Sequence, residues 1–175
     1  MSLPTRVSIK VILLNQDNEI LLLHADDPKT KNPSGKYNGP FWFLAGGQIE
    51  EGESLQKAAF REIYEEVGIE KENIKLGPVV WFGECDLILN RILTHIKQTF
   101  IVAKTKKKEV LFTNLTDSEK AILKKMKWWT LEELKNTKEI VYPVLLPKYL
   151  PDIITGKYPE KPFDIDLAKE PEKKL

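Results

Sequence analysis

Cysteine occurs once in this chain of 175 residues, at Cys85, which excludes an intramolecular disulfide and fits a reducing compartment. With no evident partner in sequence, Cys85 reads as an inert thiol rather than a nucleophile. Histidine occurs twice, at His24 and His95, too few and too scattered for a zinc site. No apolar run approaches the roughly 18 to 20 residues a membrane helix needs, and the first residues lack a signal-peptide h-region with a cleavage site. A cytoplasmic protein with no membrane partner is expected. Neither sign of charge is in excess: the net charge is +1, so no global basic field points to a nucleic-acid polymer. The one basic run, Lys104 to Lys108, reads as a solvated strand end or turn, with phosphate steering as the rarer reading. No internal repeat and no second domain are visible.

What is present is globular. Hydrophobic residues make up 42% and charged residues 30%, a balance that supports one domain with a real core at this length. Arg6 to Leu14 and Glu19 to Leu23 read as strands joined in a hairpin by the polar turn Asn15 to Asn18. Asp26 to Pro40 is rich in proline, glycine and asparagine and reads as a loop. Val79 to Leu89 and His95 to Ala103 read as two further strands around Asn90-Arg91. Leu115 to Lys127 reads as a helix with a capping box of Thr116 and Glu119, and Thr130 to Glu133 repeats the pattern at the start of another. Val144 to Ile154 carries apolar residues that pack against the sheet. A main domain over residues 1–158 and a loose, charged, proline-containing tail over residues 159–175 are expected.

The chemistry concentrates between Gly47 and Ile69, GQIEEGESLQKAAFREIYEEVGI. As a helix from Ser54 to Val67, at about 100° per residue, this stretch gathers Glu62, Glu65 and Glu66 on one arc. Ala59, Phe60, Ile63 and Val67 fall on another. Carboxylates three and four residues apart repel one another, so the acidic face is a liability unless a cation or basic group sits among them. The bland alternative is a solvated acidic face. A carboxylate-rich, all-oxygen site suits Mg2+, with Mn2+ as the other option, because both keep several waters and engage phosphates. Upstream, Ala45-Gly46-Gly47 leaves the strand-like run Phe41 to Leu44, and glycine there lets a backbone carbonyl such as that of Gly47 approach a metal closely. Gly68 is placed to end the helix.

Gly47, Glu53, Arg61, Glu62, Ile63, Glu65, Glu66, Gly68 and Ile69 match the Nudix box, GX5EX7REUXEEXGU with U aliphatic, at every defined position, and the chain resembles Nudix hydrolases of the MutT-like kind. The resemblance extends roughly from Arg6 to Pro159, since Trp128-Trp129 and the following residues resemble a W-W-x-x-x-E-L segment of one branch. It implies an α/β/α sandwich with a mixed sheet and a loop-helix-loop catalytic motif. It further implies metal-dependent hydrolysis of a nucleoside diphosphate linked to a moiety X. On that basis Glu62 and Glu66 are expected as metal ligands and Glu65 as a further ligand or proton acceptor. Arg61 is expected to hold the box glutamates in place, with Glu53 as its second partner. Glu119 is the candidate for a distal ligand or base, although its cap explains it equally well, and Glu109 is a weaker rival. Tyr37 and Asn38 are candidates for substrate contacts near the cleft mouth. Trp81 is a candidate to stack on a base, against the commoner role of aromatic residues in strands as packing.

A small (deoxy)nucleoside triphosphate, oxidised or not, is the expected substrate. ADP-ribose or a nucleotide sugar remains open, disfavoured because Pro78 comes too soon after the box for the proline that marks some ADP-ribose hydrolases. A non-catalytic nucleotide-binding sensor, an isoprenoid diphosphate or an inositol polyphosphate, and a homodimer also remain open.

Overall fold

The computed structural model describes residues 2–172; Met1 of the expected main domain and residues 173–175 of the expected tail lie outside the described residues. In chain order the elements are β1 (Thr5–Leu14), β2 (Ile20–Ala25), β3 (Thr30–Lys31), β4 (Phe41–Leu44), β5 (Gly46–Gln48), α1 (Leu55–Val67), β6 (Ile74–Leu89) and β7 (Ile92–Thr105). They continue with α2 (Asp117–Ile122), β8 (Leu123–Trp129), α3 (Leu131–Asn136), β9 (Ile140–Tyr142), α4 (Leu146–Ile154) and β10 (Phe163–Asp164).

Strand β1 explains the layering. Nearly every residue from Ser8 to Leu14 is buried, so this strand meets protein on both faces. Its alternation sends Ile9, Val11 and Leu13 into one core with Ala58, Ala59, Ile63 and Val67 of α1. Ile12 and Leu14 enter a second core with Trp42, Phe100 and Leu146, Leu150 and Ile153 of α4. Two-residue periodicity in the strand thus builds a sheet with helices on both sides, an α/β sandwich. The sheet is mixed: its main path runs β10-β6-β7-β1-β2-β4-β9, with β3 on β6, β5 on β1 and β8 on β2. β1 and β7 run parallel from Thr5↔His95 to Leu14↔Lys104.

Four expectations are corrected. β1 and β2 do not form an extended hairpin, because they pair only at Leu14↔Ile20. β1 spends its hydrogen bonds on β7 and β5, and β2 spends its own on β4 and β8. The loop after β2 contains the short β3, which pairs with the end of β6. The helix that opens at Thr116 stops at Ile122, and Leu123 to Trp129 form β8 because β2 offers them an edge. The final segment is not loose over its described part. Phe163 and Asp164 pair in parallel with Trp81 and Phe82, and Ile165 is buried, since this short run carries enough apolar surface to fill the edge beside β6.

Candidate active site

The loop after β4 reaches the site through its two glycines. Gly46 adopts φ 136°, and a Cβ there would lie 2.1 Å from the Ile9 carbonyl oxygen, so only glycine lets β5 sit on β1. A Cβ on Gly47 would lie 2.5 Å from Oε1 of Glu62. The backbone therefore approaches the helix carboxylate directly. Helix α1 starts at Ser54, whose hydroxyl accepts from the Lys57 N–H at 3.2 Å, and ends at Gly68 in the left-handed conformation with φ 72°. These caps fix the ends of the helix, and the packing of Ala58, Ala59, Ile63 and Val67 against β1 sets its rotation and with it the direction of the box side chains.

Arg61 organises the cluster. Its Nε donates to Glu53 Oε1 at 2.8 Å and its Nη2 to Glu53 Oε2 at 2.9 Å and to the Gln48 carbonyl at 3.0 Å. Its Nη1 donates to Glu62 Oε1 at 2.8 Å and to Glu65 Oε2 at 3.3 Å. These hydrogen bonds, Glu53's first, raise the arginine's pKa further. In return the guanidinium pulls the Glu53 carboxyl down to about 2, below the usual carboxylate range.

The other carboxylates differ in environment. Glu62 and Glu66 are 7% and 6% exposed, on the packed side of α1 rather than on a separate acidic face, whereas the Glu65 side chain is 42% exposed. Burial raises the pKa of Glu62, with Arg61 opposing the shift. Burial also raises that of Glu66, opposed by the ammonium of Lys10 and by the Gly46 N–H, which donates to Oε2 at 2.8 Å. Lys10 is itself pushed down by burial, with Glu66 opposing. Two buried acids whose charged forms are penalised are poised to gain from a cation.

Among the described residues no three histidine, cysteine or acidic side chains converge on a single metal point as they stand. The guanidinium of Arg61 occupies the space between Glu62 and Glu65. The donor set nevertheless fits a hard divalent ion: Glu62, Glu66, Glu65 and the backbone at Gly47 offer only oxygen, and two of them are buried at a net electrostatic cost.

Beside this cluster opens a cavity of about 520 Å³. Lys10 lies on its wall and also senses Glu66 and Glu62, so it joins the cavity to the carboxylates. Phe41, Phe43 and Tyr142 supply an aromatic wall, with Phe41 5.7 Å from Phe43 and 5.4 Å from Tyr142 between ring centroids. Tyr37 and Asn38 also line the cavity. The Tyr37 hydroxyl donates to Asp26 at 2.6 Å; burial, then this bond, pushes its pKa up to about 12. Trp81 does not line this cavity. It is 1% exposed and packed on Phe100 and Tyr149, because its position on β6 points into the second core, and this corrects the stacking expectation. Glu119 accepts from the Thr116 N–H at 2.8 Å and its hydroxyl at 2.9 Å, so its carboxylate serves the cap while its charge reaches Glu66. Glu109 is exposed and lies away from the cavity lining.

Sequence reasoning missed Lys10, Phe41, Phe43, Tyr142 and the residues of the C-terminal segment. Lys10 carried a signal: it is a lone cation inside an otherwise apolar strand, VSIKVILL. The aromatic wall carried none, because core and cleft aromatics read alike. His95 lies on the same cavity wall, with Nδ1 2.7 Å from Asp86 and Nε2 3.1 Å from Glu84, and these carboxylates raise its pKa. Burial, with Asp86 and Asp166 adding to it, pushes the Cys85 thiol up to about 11, so it is no ready nucleophile.

Residues 4–149 match the NUDIX domain family. Over 120 residues the chain is 28% identical to the dihydroneopterin triphosphate diphosphatase of Escherichia coli (strain K12), covering 67% of this chain and 70% of that protein. Over 58 residues it is 41% identical to a protein of Bacillus subtilis (strain 168) provisionally named as an 8-oxo-dGTP diphosphatase. That match covers 33% of this chain and 32% of the relative, so it spans about a third of the relative's length. The solved structure of the E. coli dihydroneopterin triphosphate pyrophosphohydrolase superposes with a TM-score of 0.60 at 19% identity, over 89% of this chain and 99% of that one, a likeness of fold. With the family match running over most of the chain and the complete box seated on the loop and helix described above, the protein belongs to the Nudix family.

Proposed function

We propose that this protein is a Mg2+-dependent pyrophosphohydrolase that cleaves a diphosphate linkage in a small nucleotide-like substrate, a (deoxy)nucleoside triphosphate or a close analogue. The observation that carries the reading is the buried pair Glu62 and Glu66 facing Lys10 at the edge of a cavity with an aromatic wall. The names of the two relatives, both diphosphatases of triphosphates, support the substrate class.

Hydrolysis adds water across a P–O–P bridge: the water oxygen bonds to one phosphorus, the bridging P–O bond breaks, and the bridging oxygen departs with its own phosphate. Glu62, Glu66 and the Gly47 carbonyl would hold the ion, which when bound supplies Lewis acidity at the phosphates. The chain's own residues do the rest. Lys10 neutralises phosphate charge beside the buried carboxylates. Glu65, the most exposed of the three helix carboxylates and engaged at the longer Arg61 contact, takes the water's proton. Arg61 clamps Glu53, Glu62 and Glu65 so that the cluster keeps its shape when the substrate arrives. Phe41, Phe43 and Tyr142 give a flat ring an apolar surface on which to stack.

The test is product analysis of purified protein with Mg2+ against nucleoside triphosphates, oxidised dGTP, dihydroneopterin triphosphate, ADP-ribose and dinucleoside polyphosphates, with Glu62→Gln as control. One preferred triphosphate, lost in the variant, is expected. Preference for ADP-ribose would move the substrate class. No turnover with tight binding of one nucleotide would replace the enzyme by a sensor.

A further inference from the structure

The segment after Pro159 contributes to the cavity that the box serves. After Ile165, whose N–H donates to the Phe82 carbonyl at 2.8 Å, the chain continues along the cavity. Leu167 seats against Gly83, where a Cβ would lie 2.4 Å from its Cγ. Leu167, Ala168, Lys169 and Glu170 then form part of the cavity wall, and the charge of Asp166 reaches Cys85 on that wall. Glu170 ties the segment to the loop between β3 and β4, which also lines the cavity. Its Oε1 accepts from Asn32 Nδ2 at 3.0 Å and its Oε2 from Asn38 Nδ2 at 2.7 Å.

These contacts fix more than position. A carboxylate can only accept, so the Asn38 atom 2.7 Å from it is the amide nitrogen. The same nitrogen donates to the Tyr142 hydroxyl at 3.3 Å. Both amide protons are thereby committed, which fixes the orientation of the amide on a residue that lines the cavity. We propose that Glu170 is a positioning residue of the substrate site, which closes the cleft from the C-terminal segment and holds Asn38 so that it presents an acceptor to an N–H or O–H donor of the bound nucleotide. The inference rests on the functional reading above only in taking the cavity as the seat of the substrate's non-reacting part.

Three full-length variants test it: Glu170→Ala, Glu170→Gln and Gly83→Ala. Glu170→Ala removes the latch. Glu170→Gln keeps its shape but can offer N–H to Asn38, freeing that amide to turn. Gly83→Ala displaces Leu167 without touching Glu170. In Glu170→Ala, which removes both hydrogen bonds of the latch, KM is expected to rise about tenfold with kcat within about twofold, a loss of about 1.4 kcal/mol in binding when the Asn38 acceptor is no longer held in place. In Glu170→Gln, the ratio of kcat/KM for guanosine or adenosine triphosphate over inosine triphosphate, which lacks the exocyclic amine, is expected to move toward one. A role confined to folding would lower the melting temperature without changing that ratio.

Cys85, the only cysteine, gives a readout independent of turnover. Its alkylation by iodoacetamide is expected to run severalfold faster in Glu170→Ala and Gly83→Ala. An unchanged KM and an unchanged ratio would overturn the positioning of Asn38, and unchanged alkylation in both variants would overturn closure by the segment. If the parent protein turns over nothing, the functional reading fails, and nucleotide dissociation constants from calorimetry replace KM as the deciding quantity.

Discussion

Arg61 and Glu53 face each other as a two-pronged pair, Nε to Oε1 at 2.8 Å and Nη2 to Oε2 at 2.9 Å, across eight residues of sequence. The pair ties the loop before α1 to the middle of that helix. It also turns the rest of the guanidinium toward Glu62 and Glu65. The loop and helix therefore respond to substitution as one unit.

Glu53→Gln is expected to cost about 1.5–3 kcal/mol at neutral pH, the range for hydrogen bonds to charged groups. Because the folded carboxyl is held down at about 2, its contribution is complete above the ordinary carboxylate pKa and is lost as pH falls toward 2. Urea titrations at stepped pH should show the two proteins converging in acid. A gap that stays constant to pH 2.5 would contradict the pairing.

Glu66 behaves in the opposite sense. Its folded pKa is raised, so in the metal-free protein its effect on stability is most favourable below the ordinary carboxylate range and worsens as pH rises through the elevated value. On the proposed function a divalent ion held by Glu66 displaces that proton, so Mg2+ affinity should climb with pH from 6 to 8. Calorimetry in two buffers of different ionisation heat should register proton release on binding. Glu66→Gln, which can still accept from Gly46, should melt no lower than the parent without metal at pH 8, yet lose the Mg2+-induced gain.

The two glycines of the loop should fail differently. Gly46→Ala drives a Cβ into the Ile9 backbone at a positive φ and is expected to prevent folding or lower stability severely. Gly47→Ala meets the carboxylate end of the Glu62 side chain instead of backbone. That protein should fold, melt within a few degrees of the parent, and lose at least about tenfold in kcat from a shifted carboxylate. Circular dichroism melts beside single-substrate kinetics separate the two.

Trp81 should report on stability and not on substrate. Trp81→Ala is expected to cost about 3–5 kcal/mol, the range for truncating a buried aromatic. Trp81→Phe should leave KM unchanged, because the side chain meets Phe100 and Tyr149 rather than the cavity by the box. A specific rise in KM for Trp81→Phe would restore a stacking role.

Neighbours along the chain dictate one part of this molecule. Ser54 and Gly68 bracket α1, Thr116 and Thr130 each open a helix through a capping box, and the turn of about 100° per residue brings the box glutamates near one another. Arg6 to Leu14 reads as a strand from its own residues. Pairing between distant segments dictates the rest. Which face of β6 carries Trp81 follows from its register with β7, and a slip of one residue would reverse it. Lys10 meets Glu66 because β5 and α1 close over β1, and burial of the helix carboxylates follows from the same packing. The segment around Ile165 looked too polar to order, but the edge of β6 offers hydrogen bonds and an apolar seat that no local pattern encodes. Local propensity is written in a few adjacent residues, whereas pairing and burial depend on where the remainder of the chain lies.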